Sequence, residues 1–137
     1  MSEATMRSNL VKALEKLDAV PIEMRMRAGT PDVNYIGGWI ECKYLKFWPK
    51  NADTSPVIFG HELTKEQGLW GRRRCLRGGS SWVVAQVSRD WFWFSTIVAR
   101  ENFNKMTRPD MHSLCAFHQK NLKSEELVEW LINNSRG

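Results

Sequence analysis

The chain has 137 residues, one domain's worth, and its 42% hydrophobic and 11% aromatic composition is that of a folded globular protein. No apolar run reaches the length of a membrane span and MSEATMRSNL lacks the apolar core of a signal peptide, so a cytoplasmic protein without a membrane partner is expected. A net charge of +5 suits a polyanionic partner, and three cysteines without framework spacing (Cys42, Cys75, Cys115) point to reduced thiols rather than disulfides.

In chain order, residues 4–18 carry Leu10, Val11, Leu14 and Leu17 at the spacing of one buried helical face, and Pro21 ends that helix. Residues 21–27, PIEMRMR, alternate Ile22, Met24 and Met26 with Glu23, Arg25 and Arg27, the pattern of a half-buried strand. Its polar side either places Arg25 or Arg27 against a phosphate or is simply solvated. Gly29-Thr30-Pro31 then turns the chain into a hairpin whose strands are Asp32 to Ile36 and Trp39 to Lys43, with Gly37-Gly38 as a two-residue loop of the primed type.

That loop fixes a register. Ile36 would face Trp39, Tyr35 Ile40, Asn34 Glu41, Val33 Cys42 and Asp32 Lys43. Alternation then gathers Asp32, Asn34, Glu41 and Lys43 on one face and Val33, Tyr35, Ile40 and Cys42 on the other, the core face. Asp32 and Glu41 fall on the diagonal, roughly 7 Å or less apart at Cβ. Two carboxylates that close repel unless a cation lies between them, and Mg²⁺ or Mn²⁺ is the natural occupant. The competing reading is a solvated face with a plain Asp32–Lys43 ion pair.

After Lys43, YLKFWPKNADTSPVIFGHEL shows no sustained period and reads as a long loop. Tyr44, Phe47 and Trp48 alternate with Lys46 and Lys50, which suits stacking on bases and contacts to phosphate; packing of the loop onto the domain is the other expectation, and some of each is anticipated. Thr64 and Gln67 have the spacing of a capping box opening a helix. Gly68 and Gly71 make sense there if something approaches the first turns closely. Arg72, Arg73, Arg74 and Arg77 line the remainder, as a solvated face or as contacts to a DNA backbone, and Gly78-Gly79 ends it. Ser80 to Gln86 and Trp91 to Ile97 read as buried strands joined by a turn at Ser88 to Asp90. Residues 99–123 show little pattern; His112, Cys115 and His118 are spaced three apart, without an evident fourth zinc ligand. Ser124 opens a last helix, about 124–134, with Leu127, Val128, Leu131 and Ile132 as its buried face. The order predicts one α/β domain, a central mixed sheet flanked by helices.

Pro31-Asp32 followed by Glu41-Cys42-Lys43 resembles the signature of the PD-(D/E)XK nuclease superfamily and is similar to that of Holliday junction resolvases. HELTKEQGLW followed by GGSSWVVAQV resembles the LT-x-x-Q element and succeeding strand of its virus-type replication-repair nuclease (VRR-NUC) group. The likeness spans about residues 3–90. It implies the restriction-endonuclease-like αβββαβ core and a Mg²⁺- or Mn²⁺-dependent DNA endonuclease, selective for branched or flapped DNA, acting in phage or bacterial replication and repair. It further implies that Asp32, Glu41 and the backbone carbonyl of Cys42 hold the metal. A first-helix glutamate would join them, Glu3 at the helix start, with Glu15 as the alternative. Lys43 would orient water or stabilise the charge on the transition state, and Gln67 would position water or phosphate. Arg25, Arg27, Lys46, Trp48, Lys50, Arg72, Arg73, Arg74 and Arg77 are the candidate DNA-binding residues, and paired cutting of a junction would require a homodimer. Two other readings stand beside this one. A sequence-specific restriction-like nuclease lacks a separate reading element in so short a chain. A non-catalytic nucleic-acid-binding or assembly protein has no reason to keep Asp32, Glu41 and Lys43 together.

Overall fold

The computed structural model describes residues 2–22 and 28–134. Its elements are α1 (Glu3–Ala13), a 3-10 turn (Glu15–Leu17), β1 (Val20–Pro21), β2 (Val33–Tyr35), β3 (Gly38–Leu45), α2 (Lys65–Leu76), β4 (Ser80–Val87), β5 (Asp90–Ser95), α3 (Thr96–Asn102), α4 (Arg108–Leu114), β6 (Phe117–Lys120) and α5 (Ser124–Asn134). The six strands form one mixed sheet in the order β1-β2-β3-β4-β5-β6. Only β3 and β4 are parallel, joined through α2; the other neighbours are antiparallel. None of the described helices is long and apolar enough to cross a membrane.

Both faces of the sheet are covered, which is why β4 is buried along its whole length. On one face Val33, Tyr35, Ile40, Cys42, Trp82, Val84 and Trp93 pack with Met6, Leu10 and Leu14 of α1 and with Leu127 and Leu131 of α5. On the other, Val83, Ala85, Val87, Phe92 and Phe94 pack with Val57, Phe59, Ala99, Phe103 and Met111. Each face therefore takes alternate residues of β4, the period-2 rule applied twice.

The first helix is shorter than its apolar period suggests. It ends at Ala13, and the chain continues as a 3-10 turn closed by Asp18 at φ 55°. The expected strand over residues 21–27 leaves only Val20–Pro21 among the described residues, so Arg25 and Arg27 lie outside them. Beyond β4, the expected strand to Ile97 stops at Ser95 and α3 begins at Thr96, while residues 99–123 contain the end of α3, then α4 and β6. In α5, Leu127, Val128 and Leu131 are buried as expected, but Ile132 is 62% exposed.

The hairpin register differs from expectation by two residues. Tyr35 pairs with Gly38, Asn34 with Trp39 and Val33 with Ile40, so the turn is Ile36-Gly37, and neither residue takes a positive φ. The reason is Gly38: a Cβ there would lie 2.4 Å from the Ser80 carbonyl oxygen of β4. That glycine serves the close approach of two strands, not the turn. A slip of one residue would have turned every side chain over; a slip of two preserves the faces.

The turn from β4 into β5 is tied to the loop after β3. Asp90 accepts hydrogen bonds from the Trp48 indole at 3.0 Å and meets His118 Nε2 at 2.8 Å. Trp48 packs edge-on against Phe92, with the Arg108 guanidinium 4.6 Å from its ring centroid. Burial alone would raise the Asp90 pKa, but the hydrogen bonds from Trp48 and His118, together with the charges of His118 and Arg108, outweigh it and hold the carboxyl below its ordinary value. A lowered carboxyl pKa stabilises the fold above the unfolded value near pH 4, and this contribution disappears as pH falls through the folded value.

Two outcomes are expected. Asp90→Asn should lower stability by about 1.5–3 kcal/mol at neutral pH, with the gap from wild type closing as denaturation is measured at progressively lower pH below about 4. Gly71→Ala should destabilise by about 1–3 kcal/mol, because its Cβ would lie 2.1 Å from Thr96 Cγ2 where α2 crosses α3. Gly60→Ala, with nothing within 4 Å, should be nearly neutral in the same thermal melts.

Candidate active site

Asp32, Glu41 and Lys43 lie on one face where β2 meets β3, each buried, at 4%, 5% and 4% exposure. Cys42 between them faces the core. Continuing the observed register by one residue sets Asp32 directly opposite Glu41, closer than the diagonal expected from the glycine pair.

Pro31 explains how Asp32 comes to lie there. One step further in the same register it would stand opposite Cys42, yet proline has no N–H to donate and the ladder cannot continue. Asp32 Oδ2 instead accepts the Cys42 backbone N–H at 2.9 Å, taking the place of a main-chain acceptor. A strand residue's N–H and C=O leave the same side of the backbone, so the Cys42 carbonyl also faces the Asp32 side, where Pro31 offers it no donor.

The charges are held in pairs. Lys43 Nζ lies 3.8 Å from Glu41 Oε2, and Arg7 Nη1 of α1 lies 3.6 Å from Asp32 Oδ1. Lys43 Nζ also donates to the Glu62 carbonyl at 3.0 Å and to Gln67 Oε1 at 3.2 Å. Gln67 Oε1 accepts the Thr64 backbone N–H at 2.9 Å as well, so the capping box of α2 and the contact to Lys43 use the same oxygen. Gln67 is thus both a cap and a site residue. Gly29, at φ 84°, makes this possible: a Cβ there would lie 2.3 Å from the Glu66 carbonyl oxygen, so only glycine lets the turn before Asp32 touch the first turn of α2.

Glu3 joins the group from the start of α1. Burial raises its pKa, the Asp32 carboxylate adds to the rise, and Lys43, His61 and Arg7 pull the other way. Glu15 is exposed in the 3-10 turn at the far end of α1 and is not part of this group. Burial pushes the Cys42 thiol well up, and Asp32, Glu41 and Glu3 push it further, while its side chain lies in the core and away from the carboxylate face. A cavity of about 360 Å³ adjoins the site, lined by Glu3, Lys43, Lys46, Phe59 and His61.

As a donor set, two or three carboxylates with a main-chain carbonyl are hard oxygen ligands of the kind Mg²⁺ or Mn²⁺ takes, with water completing the shell. Among the described residues no three His, Cys, Asp or Glu side chains are grouped as a metal cage, and Arg7 and Lys43 lie beside Asp32 and Glu41.

The candidate nucleic-acid residues separate into groups. Lys46, Lys50, Arg72, Arg73 and Arg77 are exposed. Arg74 is half-buried, its guanidinium 4.5 Å from the Trp70 ring centroid and 5.4 Å from that of Trp39. Trp48 is packed as described above. Gln67, at the helix start, reaches Lys43, whereas Arg77 stands about 15 Å further along the axis. Arg7 and His61 were not singled out by sequence. Arg7 had a signal, lying four residues after Glu3 and hence on the same helical face; His61 sits in a loop without period and had none.

Removing one member of a buried ion pair strands the other. Lys43→Met should therefore destabilise by about 3–5 kcal/mol in chemical denaturation, and Glu41→Gln introduced into that variant should restore a substantial part of it, a double-mutant cycle that reads the pair directly. Comparisons of the chain with protein-family models, with curated proteins and with solved structures give no match.

Proposed function

We propose that this chain is a Mg²⁺-dependent DNA endonuclease of the PD-(D/E)XK superfamily, VRR-NUC group, hydrolysing phosphodiester bonds in branched or flapped DNA during phage or bacterial replication and repair. The observation that carries the reading is the convergence of Asp32, Glu41 and Lys43, all buried on one face beside Gln67. The order α1, β1, β2, β3, α2, β4 agrees with the αβββαβ core that this assignment requires.

In this reading Asp32, Glu41 and the Cys42 carbonyl would hold the metal, with Glu3 completing the acidic side. The bound ion would supply polarisation of the scissile phosphate and a water of lowered pKa. Lys43 is aimed by its hydrogen bonds to Gln67 and the Glu62 carbonyl, so its ammonium meets the nucleophilic water or the charge developing on phosphorus without reorganising. Gln67 keeps its amide nitrogen for water or phosphate, since its oxygen is used twice. The Arg7–Asp32 and Lys43–Glu41 pairs favour one rival, a nucleic-acid-binding module whose charges are already satisfied without a metal.

Incubation with linear duplex, flap and four-way-junction DNA, in Mg²⁺, Mn²⁺ or EDTA, tests this. Wild type should cut with metal and not in EDTA. Lys43→Ala should lose about 10²–10³-fold in rate and Asp32→Ala should fall to background, with circular dichroism confirming that both fold. Binding without cleavage under every metal condition selects the binding module, and cleavage surviving both substitutions would falsify the site.

A further inference from the structure

Phe47 has no role in the site described above, and its setting is unlike that of its neighbours. It follows β3 by two residues, four positions after Lys43, and is 69% exposed. A ring this open on an otherwise folded segment loses the burial that normally retains an aromatic. Its neighbour Trp48, by contrast, is held by Asp90, Phe92 and Arg108. Phe47 is left open to solvent two residues beyond the strand that carries Glu41 and Lys43.

The Lys46 ammonium lies 5.3 Å from the Phe47 ring centroid, and Lys46 lines the same cavity as Glu3, Lys43 and His61. Across residues 46–61 the cations are Lys46 and Lys50, and Asp53 is the one acid. The ring thus stands beside a cation that also lines the cavity at Lys43, and under the nuclease reading the partner arriving there is a nucleotide, which brings a π-face for the ring and a phosphate for the ammonium in one unit.

We propose that Phe47 is a stacking platform for an unpaired nucleobase of the bound polynucleotide, with Lys46 meeting that nucleotide's phosphate. This rests on the nuclease reading and narrows its substrate: a base can reach the ring only when splayed from the duplex, so the strand next to the cleaved phosphate carries unpaired nucleotides. Trp48, also a candidate by sequence, already has its ring engaged with Asp90, Phe92 and Arg108, which leaves Phe47 as the more open of the two.

Fluorescence anisotropy in Ca²⁺ with labelled blunt duplex and with duplex bearing a single-stranded flap reads this directly. Phe47→Ala should weaken flap binding roughly tenfold while changing blunt-duplex binding less than about twofold, and Phe47→Trp should restore the affinity. Moving an abasic site through the flap should find one position at which wild type and Phe47→Ala bind alike. Thermal unfolding of Phe47→Ala should match wild type, since the ring is exposed. If wild type binds and cuts flap DNA while Phe47→Ala does the same, or loses duplex and flap affinity equally, the stacking assignment is overturned and the nuclease reading stands. If wild type binds neither DNA, both fall.

Discussion

The buried charge cluster at the β2–β3 hairpin is the constraint on which the surrounding structure depends. Desolvating a carboxylate or an ammonium carries a penalty of several kcal/mol per ion, and it is tolerated only when opposite charge and directed hydrogen bonds meet the ion in place. Here the partners come from far apart in the chain. Arg7 reaches Asp32 from α1, the Glu62 carbonyl and Gln67 reach Lys43 from the loop and helix that follow, and the Cys42 N–H closes on Asp32 across the strands. No one of these segments could hold the cluster alone, so the site forms only when the sheet, α1 and α2 are docked together. In the proposed nuclease reaction the same arrangement would supply preorganisation, because a lysine held by two acceptors would not have to be reoriented when a phosphate arrived.

Close backbone approaches bring those segments within reach. The glycines at 29, 38 and 71 each occupy a place where a Cβ would collide with backbone or with a β-branched side chain. Together they draw the turn before Asp32 onto the start of α2, β3 onto β4, and α2 onto α3. With α2 seated this way its capping box coincides with the site, and one glutamine oxygen can serve both the helix terminus and Lys43. Local helix stability and site geometry are therefore linked through a single side chain.

The C-terminal part, outside the family likeness, completes both core faces. Trp130 of α5 packs against Trp82, Trp93 and Phe117, while Trp82 donates its indole N–H to the Tyr35 hydroxyl beneath the hairpin. On the opposite face Phe103 stacks on Phe59, and Asn104 accepts the Phe59 N–H. These contacts fix the segment that supplies the Glu62 carbonyl to Lys43, so residues that show little pattern in the sequence end up supporting the site from behind.

By itself the sequence determined the α/β class, the chain order of most elements, the capping box at Thr64 and the shared face of Asp32, Glu41 and Lys43. These follow from local periodicity and cap chemistry, which depend on near neighbours along the chain. The face assignment survived an incorrect register because the error was an even number of residues, and alternation is blind to that. What only the tertiary structure decided depends on distant neighbours. Gly38 could be placed in the strand and not in the turn only by seeing Ser80 beside it. Glu15 could be set aside in favour of Glu3, and Arg7 joined to Asp32, only by seeing which end of α1 meets the hairpin. Trp48 and Phe47, adjacent and alike in sequence, could be told apart only by seeing Asp90, more than forty residues away, meet Trp48 while Phe47 stays exposed. Burial and partnership are properties of packing, and no pattern along one strand of sequence encodes which distant group will arrive.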